Sequence, residues 1–210
     1  GLPKIGQLVF PGIDYVGELK IVDIGYPKKL VEEEKIQVTL LEKEEIRRRL
    51  SAPPSAEEGH LLVIAGSVGR TSTAGLVCEA ALRMGAGRVT LAVPKSLNTI
   101  MEMKLREVMT EPLPETPKQT LSLRAFHAIV RLCEDKRAVI LGPGMGMDKE
   151  TQSLILKLIK TVNLPIIVDA DGLTALASQP KTLPVANKSL VLTPQPGEMA
   201  KLLRSTVKEV

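Results

Sequence analysis

The chain has 210 residues, 44% of them hydrophobic, which suits one sizeable core or one domain with part of another. Its net charge of +4 arises from mixed charges and aromatics make up only 2%, so a nucleic-acid surface is not expected. No apolar run reaches the roughly 18 residues a membrane helix needs, and no secretory signal is visible. Cys78 and Cys133 lie far apart without a Cys-x-x-Cys pattern, as expected of buried small side chains in a reducing, cytoplasmic setting.

The chain opens at Gly1 rather than Met, so a natural start further upstream is expected. The stretch GELKIVDIGYP reads as one strand, Leu19–Ile24, stopped by Gly25-Tyr26-Pro27. VEEEKIQVTLLEKEEIRRRL then reads as a polar linker and a helix, with Thr39 and Glu42 at capping-box spacing. Arg47-Arg48-Arg49 stands close to Glu42, Glu44 and Glu45 and reads as a solvated helix face. Ser51–Gly59 is a turn-rich connector.

Short aliphatic runs follow at Leu61–Ala65, Val89–Val93, Ala138–Leu141, Ile166–Val168 and Leu190–Leu192. Such continuous runs are typical of strands covered on both faces. Between them, Leu76, Val77, Ala80, Ala81 and Met84 share one helical face, as do Leu154, Ile155, Leu158, Ile159 and Val162, with Asp148 as N-cap. Glu111–Pro117 is expected to be an irregular loop because of its prolines. Strand, helix and strand at this spacing predict a three-layer α/β/α domain around a mainly parallel sheet.

In an open parallel sheet, ligands bind beyond the carboxyl ends of the strands. Here those ends run into Gly66-Ser67-Val68-Gly69-Arg70-Thr71-Ser72-Thr73, Gly142-Pro143-Gly144-Met145-Gly146, Asp169-Ala170-Asp171-Gly172 and Thr193-Pro194-Gln195-Pro196-Gly197-Glu198. Glycine turns leading into a helix can bring a phosphate close to bare amides, although GPGMG fits neither GxGxxG nor the Walker pattern and also reads as a plain tight turn. Of Asp169 and Asp171, one can face the cleft and bind Mg²⁺ or a sugar hydroxyl while the other caps the next helix. Capping is the simpler reading of Asp171. Glu198 also reads as a first-turn acid, and the Ser67, Thr71, Ser72 and Thr73 cluster as N-cap residues. His60 and His127 have no Cys or His at metal-ligand spacing and are expected to be structural or on the surface, so no metal site is assigned.

LLVIAGSVGRTSTAGLVCEAALRMGAGRVTLAVP, VILGPGMG, IIVDADGL and LVLTPQPGEMAKLL occur in that order. Together they resemble the ADP/ATP-dependent NAD(P)H-hydrate dehydratase family, whose fold is ribokinase-like. The resemblance covers roughly residues 40 to 210. The lead-in GLPKIGQLVFPGIDYVGELKIVDIGYPK is similar to the end of an NAD(P)H-hydrate epimerase domain. Residues 1–38 are therefore expected to be the end of an epimerase-like domain, and residues 39–210 the front of the dehydratase.

The resemblance implies nucleotide-dependent dehydration of hydrated NADH or NADPH, with ADP or ATP and Mg²⁺, in a homo-oligomer with small-molecule nucleotides as its partners. K⁺ is implied for the epimerase part. Thr73, Gly144 and Gln195 would meet the hydrated cofactor. Gly142, Gly146, Asp169, Asp171, Gly197 and Glu198 would line the nucleotide sites. Gln195 stands where the family has histidine, and Arg70, Ser72 and Thr73 where it has Tyr, Gly and Ala. The family's Gly-rich motif with the catalytic aspartate is expected beyond Val210. A small-molecule kinase of the same fold, of the hydroxymethylpyrimidine or hydroxyethylthiazole kinase type, and a catalytically incomplete nucleotide-binding fragment are the alternatives.

Overall fold

The structure is a computed structural model that describes residues 2–27, 29–30, 40, 43, 46–47, 59–180 and 189–210. Two compact units make up the chain, Gly1–Arg49 and Leu50–Val210. The first contains two single-turn helices, α1 (Ile5–Leu8) and α2 (Ile13–Val16). Leu19–Ile24 is not a strand, contrary to the sequence reading. A strand exists only when paired, and this unit supplies no second strand among its described residues. Thr39, Glu42, Arg48, Arg49 and positions 51–58 of the connector lie outside the described residues.

The second unit is built on six parallel strands: β1 (His60–Ile64), β2 (Arg88–Pro94), β3 (Met109–Leu113), β4 (Ala138–Leu141), β5 (Ile166–Val168) and β6 (Leu190–Leu192). Their order in the sheet is β3-β2-β1-β4-β5-β6. The chain therefore winds outward from β1 to β3, returns to the middle, and winds outward the other way from β4 to β6. The five runs expected as strands all form. The sixth, β3, contains Glu111-Pro112-Leu113 and corrects the expected loop. Proline lacks an N–H, but an edge strand has one side that needs none, so β3 can carry Pro112 at the sheet margin.

The connecting helices are α3 (Thr71–Arg83), α4 (Asn98–Lys104), α5 (Phe126–Leu132), α6 (Lys149–Thr161), α7 (Asp171–Ser178) and α8 (Pro196–Leu203). Right-handed crossovers put helices on opposite faces when the direction of winding reverses. The core divides accordingly. One cluster unites Leu62, Ile64, Val139, Leu141 and Val168 with Leu154, Ile155, Leu158 and Ile159 of α6 and Leu173 and Leu176 of α7. The other unites Val63, Val89, Leu91 and Val93 with Ala74 and Cys78 of α3 and Met101 of α4.

The apolar face of α6 is buried as its periodicity predicts, and the Asp148 carboxylate caps it by accepting from the Glu150 N–H at 3.0 Å. The predicted face of α3 is buried only in part. Leu76 and Met84 remain 67% and 58% exposed. Together with Val77, Ala80 and Ala81 of α3, the strand residues Leu61, Ile140 and Ile167 line an apolar groove of about 600 Å³. Val191 on β6 continues that open side at 52% exposure.

Candidate functional site

Winding reverses between β1 and β4, and in a doubly wound sheet the crevice at that point is where ligands bind. The two turns that flank it are stitched together. The Gly66 N–H donates to the Pro143 carbonyl at 2.9 Å. The Ser67 hydroxyl, 2% exposed, donates to the Gly144 carbonyl at 2.8 Å. Ser67 therefore does not cap α3, whose N-cap position is Arg70 with no side-chain cap bond.

The turn after β4 is buried from Gly142 to Gly146. At Gly142, φ is +120°, and an added Cβ would lie 2.1 Å from the Asp169 carbonyl oxygen. Only glycine permits β4 and β5 to release their chains so close together. At Gly144 an added Cβ would meet Arg70 Cβ at 3.1 Å and Thr73 Cβ at 3.4 Å, so the first turn of α3 rests directly on this backbone. The Gly146 N–H is already engaged, donating to Asp171 Oδ2 at 2.8 Å. The start of α6 carries the Asp148 cap. GPGMG thus acts as a clasp between three strand ends, and its last amide and the following helix start are satisfied from within the protein.

Asp171 does not cap α7 with its side chain. Its Oδ2 accepts both from Gly146 and from Arg70 Nη1, each at 2.8 Å, joining the turns after β1, β4 and β5. Asp169 turns the other way, accepting from the Thr193 hydroxyl at 2.8 Å and so linking β5 to β6. Between them Ala170 holds φ +49°, ψ −116°, an unfavourable conformation for a residue with a Cβ. That kink keeps both carboxylates at the carboxyl end of the sheet. At the last strand end, Pro196 takes the first helical position of α8 and Glu198 accepts from the Gln195 N–H at 2.9 Å. Glu198 therefore serves as a capping acid, while the Gln195 and Gly197 residues stay exposed. Among the described residues no group of three or more His, Cys, Asp or Glu side chains is placed to hold a metal ion, and no helix is long and apolar enough to cross a membrane.

Residues 61–209 match the family model described as NAD(P)H-hydrate dehydratase. The chain belongs to the NAD(P)H-hydrate dehydratase family. It is 39% identical over 213 residues to a bifunctional NAD(P)H-hydrate repair enzyme of Moorella thermoacetica, a match spanning 100% of this chain and 40% of that protein. The chain thus spans about two fifths of the length of that curated relative. Its fold is similar to that of an ADP/ATP-dependent NAD(P)H-hydrate dehydratase from Bacillus subtilis crystallised with ATP and Mg²⁺. That similarity has a TM-score of 0.62 at 25% identity and covers 83% of this chain and 59% of that one. A ribokinase-like superfamily protein of Enterococcus faecalis shares the fold at a TM-score of 0.61 and 18% identity, over 71% of this chain and 50% of that one.

Within this member of the dehydratase family, Thr73, Gly142, Gly144, Gly146 and Asp171 are brought together around the β1–β4 crevice, the first four through packing and Asp171 through hydrogen bonds, while the Asp169 carboxylate faces Thr193 beside β6. Gln195, Gly197 and Glu198 stand one strand further out, beyond β6. Sequence reasoning missed two residues that complete the crevice. Thr120 backs Gly146, whose added Cβ would come within 2.9 Å of its methyl group, and bonds to the Thr116 and Thr151 hydroxyls at 2.9 and 2.8 Å. Arg70, marked by the sequence only as a departure from the family's Tyr, carries the ion pair to Asp171. A strand end followed by Gly, Ser and Arg signals a turn, but nothing local names an aspartate 101 positions away as its partner.

Proposed function

We propose that this chain forms the ligand-binding front of an ADP/ATP-dependent NAD(P)H-hydrate dehydratase, which restores NADH or NADPH from its hydrate. The carrying observation is the convergence of the turns after β1, β4 and β5 at one crevice through Ser67, Gly144, Gly146 and Asp171. Hydroxide leaves poorly. Phosphoryl transfer from ADP or ATP to the hydrate's hydroxyl releases AMP or ADP and makes the leaving group phosphate, whose departure together with a proton from the adjacent ring carbon restores the ring double bond. Thr73, Gly144 and Gln195 meet the hydrated dinucleotide in this reading. Gly142, Gly146, Asp169, Asp171, Gly197 and Glu198 shape the nucleotide side. Mg²⁺ would enter with the nucleotide and would neutralise phosphate charge during the transfer.

The lead-in unit belongs, on this reading, to a fused epimerase part, the only part for which K⁺ is proposed. The reading also places the protein in the cytoplasm as a homo-oligomer. The bifunctional name of the Moorella relative supports the fusion. The test is turnover: hydrated NADH, Mg²⁺ and ADP or ATP are mixed with the protein and the return of NADH absorbance is followed. Nucleotide-dependent return of NADH is the expected result. Phosphorylation of a hydroxymethylpyrimidine or hydroxyethylthiazole with no NADH recovery would replace this reading with a kinase of the same fold.

A further inference from the structure

Arg70 sits at the N-cap of α3, yet its side chain does no capping. Its guanidinium reaches across the crevice instead, and Nη1 lies 2.8 Å from Asp171 Oδ2. The same carboxylate oxygen holds the Gly146 N–H, so Asp171 is tethered on the buried side. The two partners differ in exposure: the Arg70 side chain is 51% exposed and that of Asp171 is 19%. The guanidinium is therefore the more accessible half of the pair. Arg70 Cβ is also wedged against Gly144, which limits where the side chain can go.

A guanidinium offers five N–H donors in a planar fork that suits phosphate, and one aspartate contact leaves the rest available. Ordering such a long side chain normally costs rotamer freedom. Here the ion pair orders it before any ligand arrives. A second cation reaches the first turn of α3, where Lys104 Nζ donates to the Ser72 hydroxyl at 3.3 Å.

We propose that Arg70 is a phosphate-recognising residue of the β1–β4 crevice, positioned by Asp171. This rests on the reading that the crevice takes a phosphorylated nicotinamide or adenine ligand. The phosphate can belong to the nicotinamide ligand or to the nucleoside diphosphate, and the probes below separate these sources.

Calorimetric binding of nicotinamide mononucleotide, nicotinamide riboside and ADP is compared for the unsubstituted protein, Arg70→Gln and Arg70→Lys. Loss of a charged hydrogen bond predicts roughly ten- to hundredfold weaker binding of the phosphorylated probe to Arg70→Gln. Arg70→Lys is expected to recover part of that loss, and the riboside is expected to be unaffected. Loss confined to the mononucleotide supports the proposal with the nicotinamide ligand as the source. Loss confined to ADP supports it with the nucleotide as the source. Equal loss for mononucleotide and riboside, or no loss for any probe, overturns it. Should Arg70→Gln not fold, Arg70→Lys decides: unchanged affinity and salt dependence for both phosphorylated probes overturns the proposal, because a lysine cannot reproduce the fork. Unaltered turnover of hydrated NADH by Arg70→Gln would overturn this proposal alone. Absence of both binding and turnover in the unsubstituted protein would overturn the dehydratase reading with it.

Discussion

The Ser67 hydroxyl and the Gly144 carbonyl meet at 2.8 Å although 77 positions separate them in the chain. Ser67 is 2% exposed, so water cannot replace this bond. Removing the hydroxyl strands a buried acceptor, which costs about 1–3 kcal/mol. Ser67→Ala is expected to lower the unfolding free energy by that amount, read as a lower urea midpoint at unchanged slope. Its ligand affinity should fall as well, because the bond sets the spacing of the two crevice turns. Unchanged stability would mean that the turns hold together without it.

Glycines at two strand ends should answer differently to substitution. At Gly142 a methyl group would sit 2.1 Å from the Asp169 carbonyl, at φ +120°. Positive φ costs a residue with a Cβ about 1–2 kcal/mol, and overpacking adds about 1–3. Gly142→Ala is therefore expected to lose about 2–5 kcal/mol in thermal or chemical unfolding. At Gly197 nothing lies within 4 Å of the added methyl. Gly197→Ala should leave stability unchanged or raise it by up to about 1 kcal/mol, since alanine favours the helix. Equal effects at both positions would contradict the packing described.

Ala170 lies between the two acids with φ +49°. Glycine adopts positive φ without that steric cost. Ala170→Gly is expected to gain about 1 kcal/mol of unfolding free energy, read as a higher denaturant midpoint, the strain released exceeding the extra chain entropy by roughly that amount. A loss of stability would show that the local backbone is not strained.

His60 predicts a response to acid. It is 6% exposed, its Nε2 lies 2.7 Å from the Thr90 hydroxyl, and its Nδ1 lies 3.3 Å from Asp135. Burial, with the Lys136 charge adding to it, lowers its pKa below the ordinary 6.5, against the opposing pull of Asp135. The unfolded chain therefore takes up the proton first. The stability contributed by neutral His60 is complete above about pH 6.5 and is lost as the pH falls below it. Melting temperatures between about pH 7.5 and pH 5.5 should fall for the natural chain and fall less steeply for His60→Gln. Parallel slopes would place the acid sensitivity elsewhere.

Local patterns carried much of the fold. Aliphatic runs located β1, β2, β4, β5 and β6, and the 3.6-residue stripe and Asp148 located α6 with its cap. These features depend on side-chain spacing and on groups a few residues apart, so they are legible in the sequence itself. Pro112 concealed β3, because a proline's tolerance in a strand depends on lying at the sheet edge. The Leu19–Ile24 run failed for the complementary reason: strand character in one segment does not provide a neighbour.

The candidate site followed the same division. The strand-end positions of Gly142, Gly144, Gly146, Asp169 and Asp171 came from the order of residues alone. Which turn faces which came from the reversal of winding at β1 and β4. That reversal puts Arg70 against Asp171 and Ser67 against Gly144, while the pairing of β5 with β6 puts Asp169 against Thr193. Sequence by itself determined the elements and the chemical groups at their ends. Only the tertiary structure decided the pairings, because hydrogen bonds between distant segments depend on the sheet order that brings their turns together.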